Sequence, residues 1–357
     1  LETIGEFARA ELADSGDEDV VRGRHADWCL SLIASAPPVD PVRDTAWFDL
    51  LEVERANFVQ AMTWCDASGR LDDLATLVIH TRWLWYMPGR AAEGLAWFER
   101  LLDRHRAMDD IKQSDALCWA GHLAQLLGQP NAADRLERAR ALARAAGDTH
   151  REGEIVVALA VMAEDQGDYR DGEALLGQAR TLFEHAGSDW SLLTVNFHLG
   201  VVAFGLGKLV RAEKLLSATQ DAAEGVGDPL IPVWTRNFLA LIACARGDPA
   251  RAKILLAERP VDLVAGHRHD MPVFIGSVAV AAIASGRHRT AARLLGAVAR
   301  TEATIMLPER TSFDRAATAA RRDLGDDAYA AEFEFGRHMR TGETELVISD
   351  FLAGDAD

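Results

Sequence analysis

An all-α solenoid of antiparallel helical hairpins is the fold that this 357-residue sequence predicts. Three observations lead to it. A Gly recurs at positions 89, 128, 167, 207, 247 and 286, at intervals of 39, 39, 40, 40 and 39 residues, and such a period marks stacked repeats. Small residues flank each turn: Gly94, Ala133, Gly172, Ala212, Ala252 and Ala291 stand five after the Gly, and Gly121, Ala160, Gly200, Ala240 and Ala279 stand seven before the last five. The composition, rich in Ala, Leu, Arg and Glu with three Tyr and no long β-branched run, favours helices. A Gly turn between small residues at matched heights suits two antiparallel helices, because small side chains let the backbones approach.

Each element follows from local signals. Residues 1–36 read as two helices, LETIGEFARAELADSG and EDVVRGRHADWCLSLIASA, stopped by Pro37 and Pro38. Residues 47–69 read as one helix, with Leu50, Leu51, Phe58, Met62 and Cys65 at helical spacing. The array opens around Leu71, with an aromatic group at Trp83, Trp85 and Tyr86. In each hairpin Ala124, Ala163, Ala203, Ala243 and Ala282 stand four before the turn Gly, and Trp97, Leu136, Leu175, Leu215, Leu255 and Leu294 stand eight after it. A second set of turns at Gly147, Gly187 and Gly227 separates the hairpins. Gly-Asp-Pro at 227–229 and 247–249 supplies a helix-ending Gly, an N-cap Asp and a first-turn Pro. The pattern fails once, where Pro260 cuts the second helix after Gly247 short and a loop over about 260–271 follows. Residues 308–357 form two or three closing helices that cap the end of the array.

The balance of 38 basic against 55 acidic residues, net charge -17, excludes the basic stripe that nucleic acid requires. Cys29, Cys65, Cys118 and Cys244 lie far apart without a CxxC pair, which suits buried thiols in a reducing, cytoplasmic setting and suggests neither zinc nor disulfides. No apolar run reaches the ~18–20 residues of a membrane span. The chain opens on Leu and is expected to belong to something longer.

The small residue in the first helix, the Gly turn, the small residue five on and the Leu or aromatic nine on resemble the tetratricopeptide repeat (TPR). Leu159, Leu199 and Leu239 match its Leu, while the aromatic three positions later is Ala here and the period exceeds the usual ~34. The resemblance implies a right-handed superhelix whose first helices line a concave groove. The opening LETIGEFARAELADSGDEDVVRGRHADWCLSL resembles the segment closing the winged-helix part of bacterial signal-transduction ATPases of the NB-ARC (STAND) type, many of them LuxR-family or related transcriptional regulators. Trp47, Leu51, Glu52, Glu54, Asn57, Ala61 and Trp64 fit the WxxxLExExxNxxxAxxW segment of those proteins, and ARRDLGDDAYAAEFEFGRHM resembles the close of their repeat region. The resemblance implies four segments: 1–36 closing the ATPase region, 37–109 with the first hairpin, 110–305 with the TPR-like repeats, and 306–357 as capping helices. It also implies a sensor that binds a protein or small effector and controls a preceding ATPase domain. The ATPase's own motifs are missing: GVVAFGLGKL at 200–209 has Val202 and Leu209 where a phosphate loop needs Gly and Ser or Thr. A free-standing scaffold joining two proteins is the alternative. An enzyme is not expected, and no cofactor is implied.

Groove residues follow from the offsets ten and six before each Gly: Cys118, His122, Val157, Val161, Phe197, Val201, Asn237 and Leu241, with Phe204 and Trp234 on adjoining turns. Such an apolar, aromatic face suits an amphipathic helix or a small molecule. The same residues could instead pack on neighbouring or terminal helices. A peptide-carboxylate clamp is disfavoured, because none of the four Lys (Lys112, Lys208, Lys214, Lys253) takes those offsets. His267, Arg268, His269 and Asp270 lie in the irregular loop. They lack a third ligand at helical spacing, so a polar loop contacting the ATPase is preferred to a metal site. Glu164 and Asp165 read as a solvated helix end and not as catalytic carboxylates.

Overall fold

The computed structural model describes residues 11–12, 14–36, 45–86, 89–258, 271–301 and 305–354. Among these residues the chain forms nineteen helices and no strand, packed consecutively as the repeat predicts. They fall into two compact units, residues 1–142 and 143–357.

The first unit contains α1 (Glu18–Ala34), α2 (Thr45–Val53), α3 (Arg55–Ser68), α4 (Leu71–His80), α5 (Arg82–Trp85), α6 (Ala91–Arg104), α7 (Asp110–Leu126) and most of α8 (Ala132–Ala145). The stretch expected as one helix over 47–69 is broken at Glu54, whose carboxylate accepts a hydrogen bond from Asn57 Nδ2 at 2.6 Å. The α1 helix packs on α3 and α4 through Ala26, Cys29 and Ile33, and α6 packs on α4, α5 and α7. Asp66 is buried at the end of α3, where Arg100 and Arg104 of α6 both pair with its carboxylate.

The second unit stacks four hairpins: α9 (Thr149–Gln166) with α10 (Tyr169–Ala186), α11 (Asp189–Gly205) with α12 (Leu209–Gly225), α13 (Ile231–Ala245) with α14 (Pro249–Ala257), and α15 (Met271–Ala284) with α16 (His288–Ala299). The turn Gly of each hairpin has φ between 71° and 84°, the left-handed region where a side chain is strained. The amide after each Gly then donates to the carbonyl of the Ala four before it, as in Asp168 N to Ala163 O (2.8 Å) and Lys208 N to Ala203 O (2.9 Å). These bonds satisfy helix-end carbonyls and give the recurring Ala a backbone role.

Local caps follow the sequence with one shift. Asp248 accepts from Arg251 N at 2.9 Å and Pro249 opens α14, as expected. Asp228 instead caps Leu230 N and Ile231 N, so the first-turn proline of α13 is Pro232 and not Pro229. The α14 helix ends at Ala257, and the loop expected beyond it falls almost wholly outside the described residues. In α10 and α12 the fully buried Leu is the one nine after the turn Gly, Leu176 and Leu216, while Leu175 and Leu215 are half-buried.

Small residues mark close helix crossings. A Cβ on Gly172 would lie 3.5 Å from Ala160 O, and one on Gly200 would lie 2.6 Å from Leu216 Cγ and Cδ2. Gly200→Leu is expected to destabilise the unit by ~1–3 kcal/mol in urea unfolding through overpacking; an unchanged midpoint would count against the hairpin packing.

Three helices follow the hairpins: α17 (Leu307–Leu324), α18 (Asp326–His338) and α19 (Thr341–Ala353). The α18 helix closes on α16, and α19 packs on α14, α15 and α16. The α17 helix does something different. It lies on α15 and α16 but also touches α9, α11 and α13, the first helices of the three preceding hairpins.

Candidate functional site

Residues four apart share one face of a helix, so the positions ten and six before each turn Gly form one surface per hairpin. In the second unit this surface is largely covered. Phe197, Val201 and Leu241 are buried in one cluster with Phe238 and with Phe313 and Ala316 of α17. Trp234 and Phe204 are half-buried at its margin, and Val157 and Val161 are half-buried on α9. The Phe197 ring stands 5.7 Å from both Trp234 and Phe238.

Gly276 on α15 takes the same offset, ten before Gly286, as Val157, Phe197 and Asn237. It forms a notch for α17, since a methyl at Gly276 would overlap the Phe313 ring. At the other end of the face Leu307 Cδ2 lies 3.4 Å from where a Cβ on Gly167 would stand. Phe197, Val201 and Leu241 of the second unit thus share their buried cluster with a terminal helix of the same chain.

Asn237 is 4% exposed and lines a cavity of about 10 Å³ with Val233, Arg236, Leu255, Leu256 and Phe274, space for about one water. It sits among α13, α14 and α15, away from any open groove.

The first-unit members of the set, Cys118 and His122, lie on α7 beside an aromatic cluster. Trp119 meets Trp83 edge-on at 4.9 Å and His122 at 5.4 Å, and the Arg82 guanidinium lies 5.5 Å from the Trp119 ring centre. His122 keeps some surface, yet protein surrounds it densely enough that burial pulls its imidazole pKa down to about 4. It is neutral at pH 7. Trp119 is a member of this cluster that the offsets alone did not select. His267, Arg268, His269 and Asp270 lie outside the described residues.

Glu164 requires a correction. It is fully buried and not a solvated helix end, while its neighbour Asp165 is half-buried. Glu164 Oε2 stands 3.1 Å from His198 Nδ1 of α11, and Oε1 has no hydrogen-bond partner among the described residues. Burial raises the Glu164 carboxyl above its ordinary range, and the His198 charge and hydrogen bond oppose that rise. Glu164 stands three before Gly167 and His198 nine before Gly207. One hairpin further, Phe204 and Phe238 take the same two offsets and pack edge-on at 5.7 Å. Stacking of successive first helices thus accepts an aromatic pair where this hairpin uses a carboxylate and an imidazole. The pair ties two successive first helices together.

Among the described residues no helix is long and apolar enough to cross a membrane. No family model matches the chain. It is similar to three mycobacterial proteins, one from Mycobacterium bovis and two from strains of Mycobacterium tuberculosis, each named as an inferred HTH-type transcriptional regulator. The similarity is 24% identity over 282 residues, covering 76% of this chain and 31% of each relative. The chain therefore spans less than a third of the length of the relatives it matches.

Proposed function

We propose that the chain is the sensor and protein-interaction region of a transcriptional regulator, binding a protein or small effector on the face of its first helices. The observation that carries this reading is the face itself: an apolar, aromatic surface repeated over successive hairpins and already seated on a helix, α17. The names of the mycobacterial relatives support the regulatory setting. The TPR-like hairpins and the NB-ARC-like opening and closing segments support a finer version, in which a cytoplasmic signal-transduction ATPase of LuxR-family type precedes this region and is restrained or released by it. In that version the ATPase domain is the intramolecular partner, and the acidic array itself leaves nucleic acid to other parts of the protein.

The test has two parts. The complete reading frame should encode a phosphate-loop ATPase ahead of residue 1; without one the ATPase version is lost. In the complete protein, Trp234→Ala should weaken effector control of ATP hydrolysis with little change in melting midpoint, because the ring is half-buried at the margin of the face. A large loss of stability with unaltered control would place Trp234 in the core and remove it from the site.

A further inference from the structure

The aromatic cluster of the first unit holds polar groups that the fold leaves without partners. Arg82, Trp83 and Tyr86, on and beside α5, meet Trp119 and His122 of α7, and all five are half-buried. Among the described residues the Arg82 guanidinium forms no ion pair; it lies over the Trp119 ring and donates to one carbonyl, Ile79 O, at 3.3 Å. Arg70 is a contrast within the same unit. It also lies over an indole, Trp64, yet Asp27 and Asp73 both hold its guanidinium, at 2.7 and 2.5 Å. The Trp83 Nε1–H is shielded from solvent and has no acceptor among the described residues, so it bears the full cost of its desolvation. Burial alone acts on the His122 imidazole, which carries no charge at neutral pH.

These groups select one chemistry. The guanidinium and the indole N–H are both donors, so a ligand that completes them brings acceptors. A planar guanidinium fork matches a carboxylate through two parallel hydrogen bonds. The rings set the rest of the ligand. Trp83 stands at 77° to Tyr86 and 72° to Trp119, with centroids 5.9 and 4.9 Å apart, so a flat ring finds one face to stack on and an edge to meet. A cationic guest, which aromatic corners otherwise attract, is disfavoured because Arg82 already brings a positive charge to the Trp119 ring.

We propose that this corner is a small-molecule site for a planar aromatic carboxylate. The carboxylate pairs with Arg82, one of its oxygens gives the Trp83 N–H its acceptor, and the ring stacks among Trp83, Tyr86 and Trp119. The proposal rests on the reading of the first-helix face as a sensing surface and names the class of effector it takes. His122, with its pKa pulled down to about 4, is a neutral wall of the site, so affinity is constant between pH 6 and pH 8.

The experiment titrates the full chain, labelled with nitrogen-15 at its indoles, with 2-naphthoate and follows the indole N–H signals by NMR. The Trp83 and Trp119 signals, assigned from Trp83→Phe and Trp119→Phe, should move saturably with a Kd of ~1 mM or tighter, and the Trp83 proton should move downfield as it gains an acceptor. Arg82→Gln should weaken binding at least ~10-fold with an unchanged melting midpoint, because a half-buried guanidinium without an ion pair contributes little to the fold. Arg82→Lys, which keeps the charge and loses the fork, is the second variant and should lose affinity as well. Two further probes separate the two halves of the ligand: 2-naphthamide keeps the ring without the charge, cyclohexanecarboxylate keeps the charge without the π-face, and each should bind at least ~10-fold more weakly than 2-naphthoate. The proposal is overturned if no saturable shift occurs up to ~10 mM, if only other indoles respond, or if Arg82→Gln or the uncharged probe binds as well as the reference. If 2-naphthoate fails while Trp234→Ala still alters control in the complete protein, this site is lost and the sensor reading stands.

Discussion

His198→Leu is expected to destabilise the second unit by about 3–5 kcal/mol at neutral pH, the cost of leaving a buried carboxylate without its partner. Glu164 is fully buried, and His198 is the residue that opposes the rise in its pKa. A carboxyl whose folded pKa lies above its unfolded value stabilises the fold fully below the unfolded value, near 4.5, and loses that contribution as pH rises through the folded one. Removing His198 moves the folded value further up. The variant should therefore unfold in urea close to the wild type near pH 4 and fall progressively behind it toward pH 8. Glu164→Phe combined with His198→Phe copies Phe204 and Phe238 from the next hairpin and should recover most of the loss at every pH. A deficit in His198→Leu that is the same at pH 4 and pH 8 would mean that Glu164 is not the group left stranded.

Gly336→Leu is expected to cost about 3 kcal/mol or more, at the top of the overpacking range. A Cβ at Gly336 would overlap the backbone carbonyl of Arg293, and one at Gly296 would overlap the carbonyl of Phe333. Side chains can rotate away from a clash; two helix backbones can only separate. The α16 and α18 helices would move apart, exposing Ala292 and Tyr329, which are buried between them and α17. The measurement is the urea midpoint of Gly336→Leu beside that of Gly200→Leu, where the obstacle is the Leu216 side chain. A smaller loss for Gly336→Leu would show that α18 is not held backbone to backbone.

These two sites differ in how far the sequence exposed them. The hairpins were legible because their signals are local: a left-handed Gly, an Ala whose carbonyl closes the turn, and an Asp that caps the next helix all lie within a few residues. The shift from Pro229 to Pro232 was misread because it depends on which backbone amides Asp228 caps. The break at Glu54 has no side-chain cap to announce it. The placement of α17 could not be read, since Phe313 meets Gly276 across a separate hairpin and nothing near residue 313 encodes that contact. The Glu164–His198 pair lies between these cases. Its partners are 34 residues apart, yet comparing offsets across the period sets them beside Phe204 and Phe238, a comparison that would have marked Glu164 as buried. The offsets set Phe197, Val201 and Leu241 on one surface, and packing on a terminal helix was one reading of it; that the helix is α17, through Phe313 and Ala316, is seen only in the fold.

Amide hydrogen exchange across α17 in the intact, effector-free chain tests the central claim most directly, because exchange reports the opening free energy of each segment. If the first-helix face is a helix-binding surface with α17 seated on it, amides from Phe313 to Ala320 exchange as slowly as those of α15, and Phe313→Ala speeds exchange in α17 while α15 stays protected. Fast exchange throughout α17 in the wild-type chain, with α15 slow, would mean that the face stands open at rest and would contradict the account.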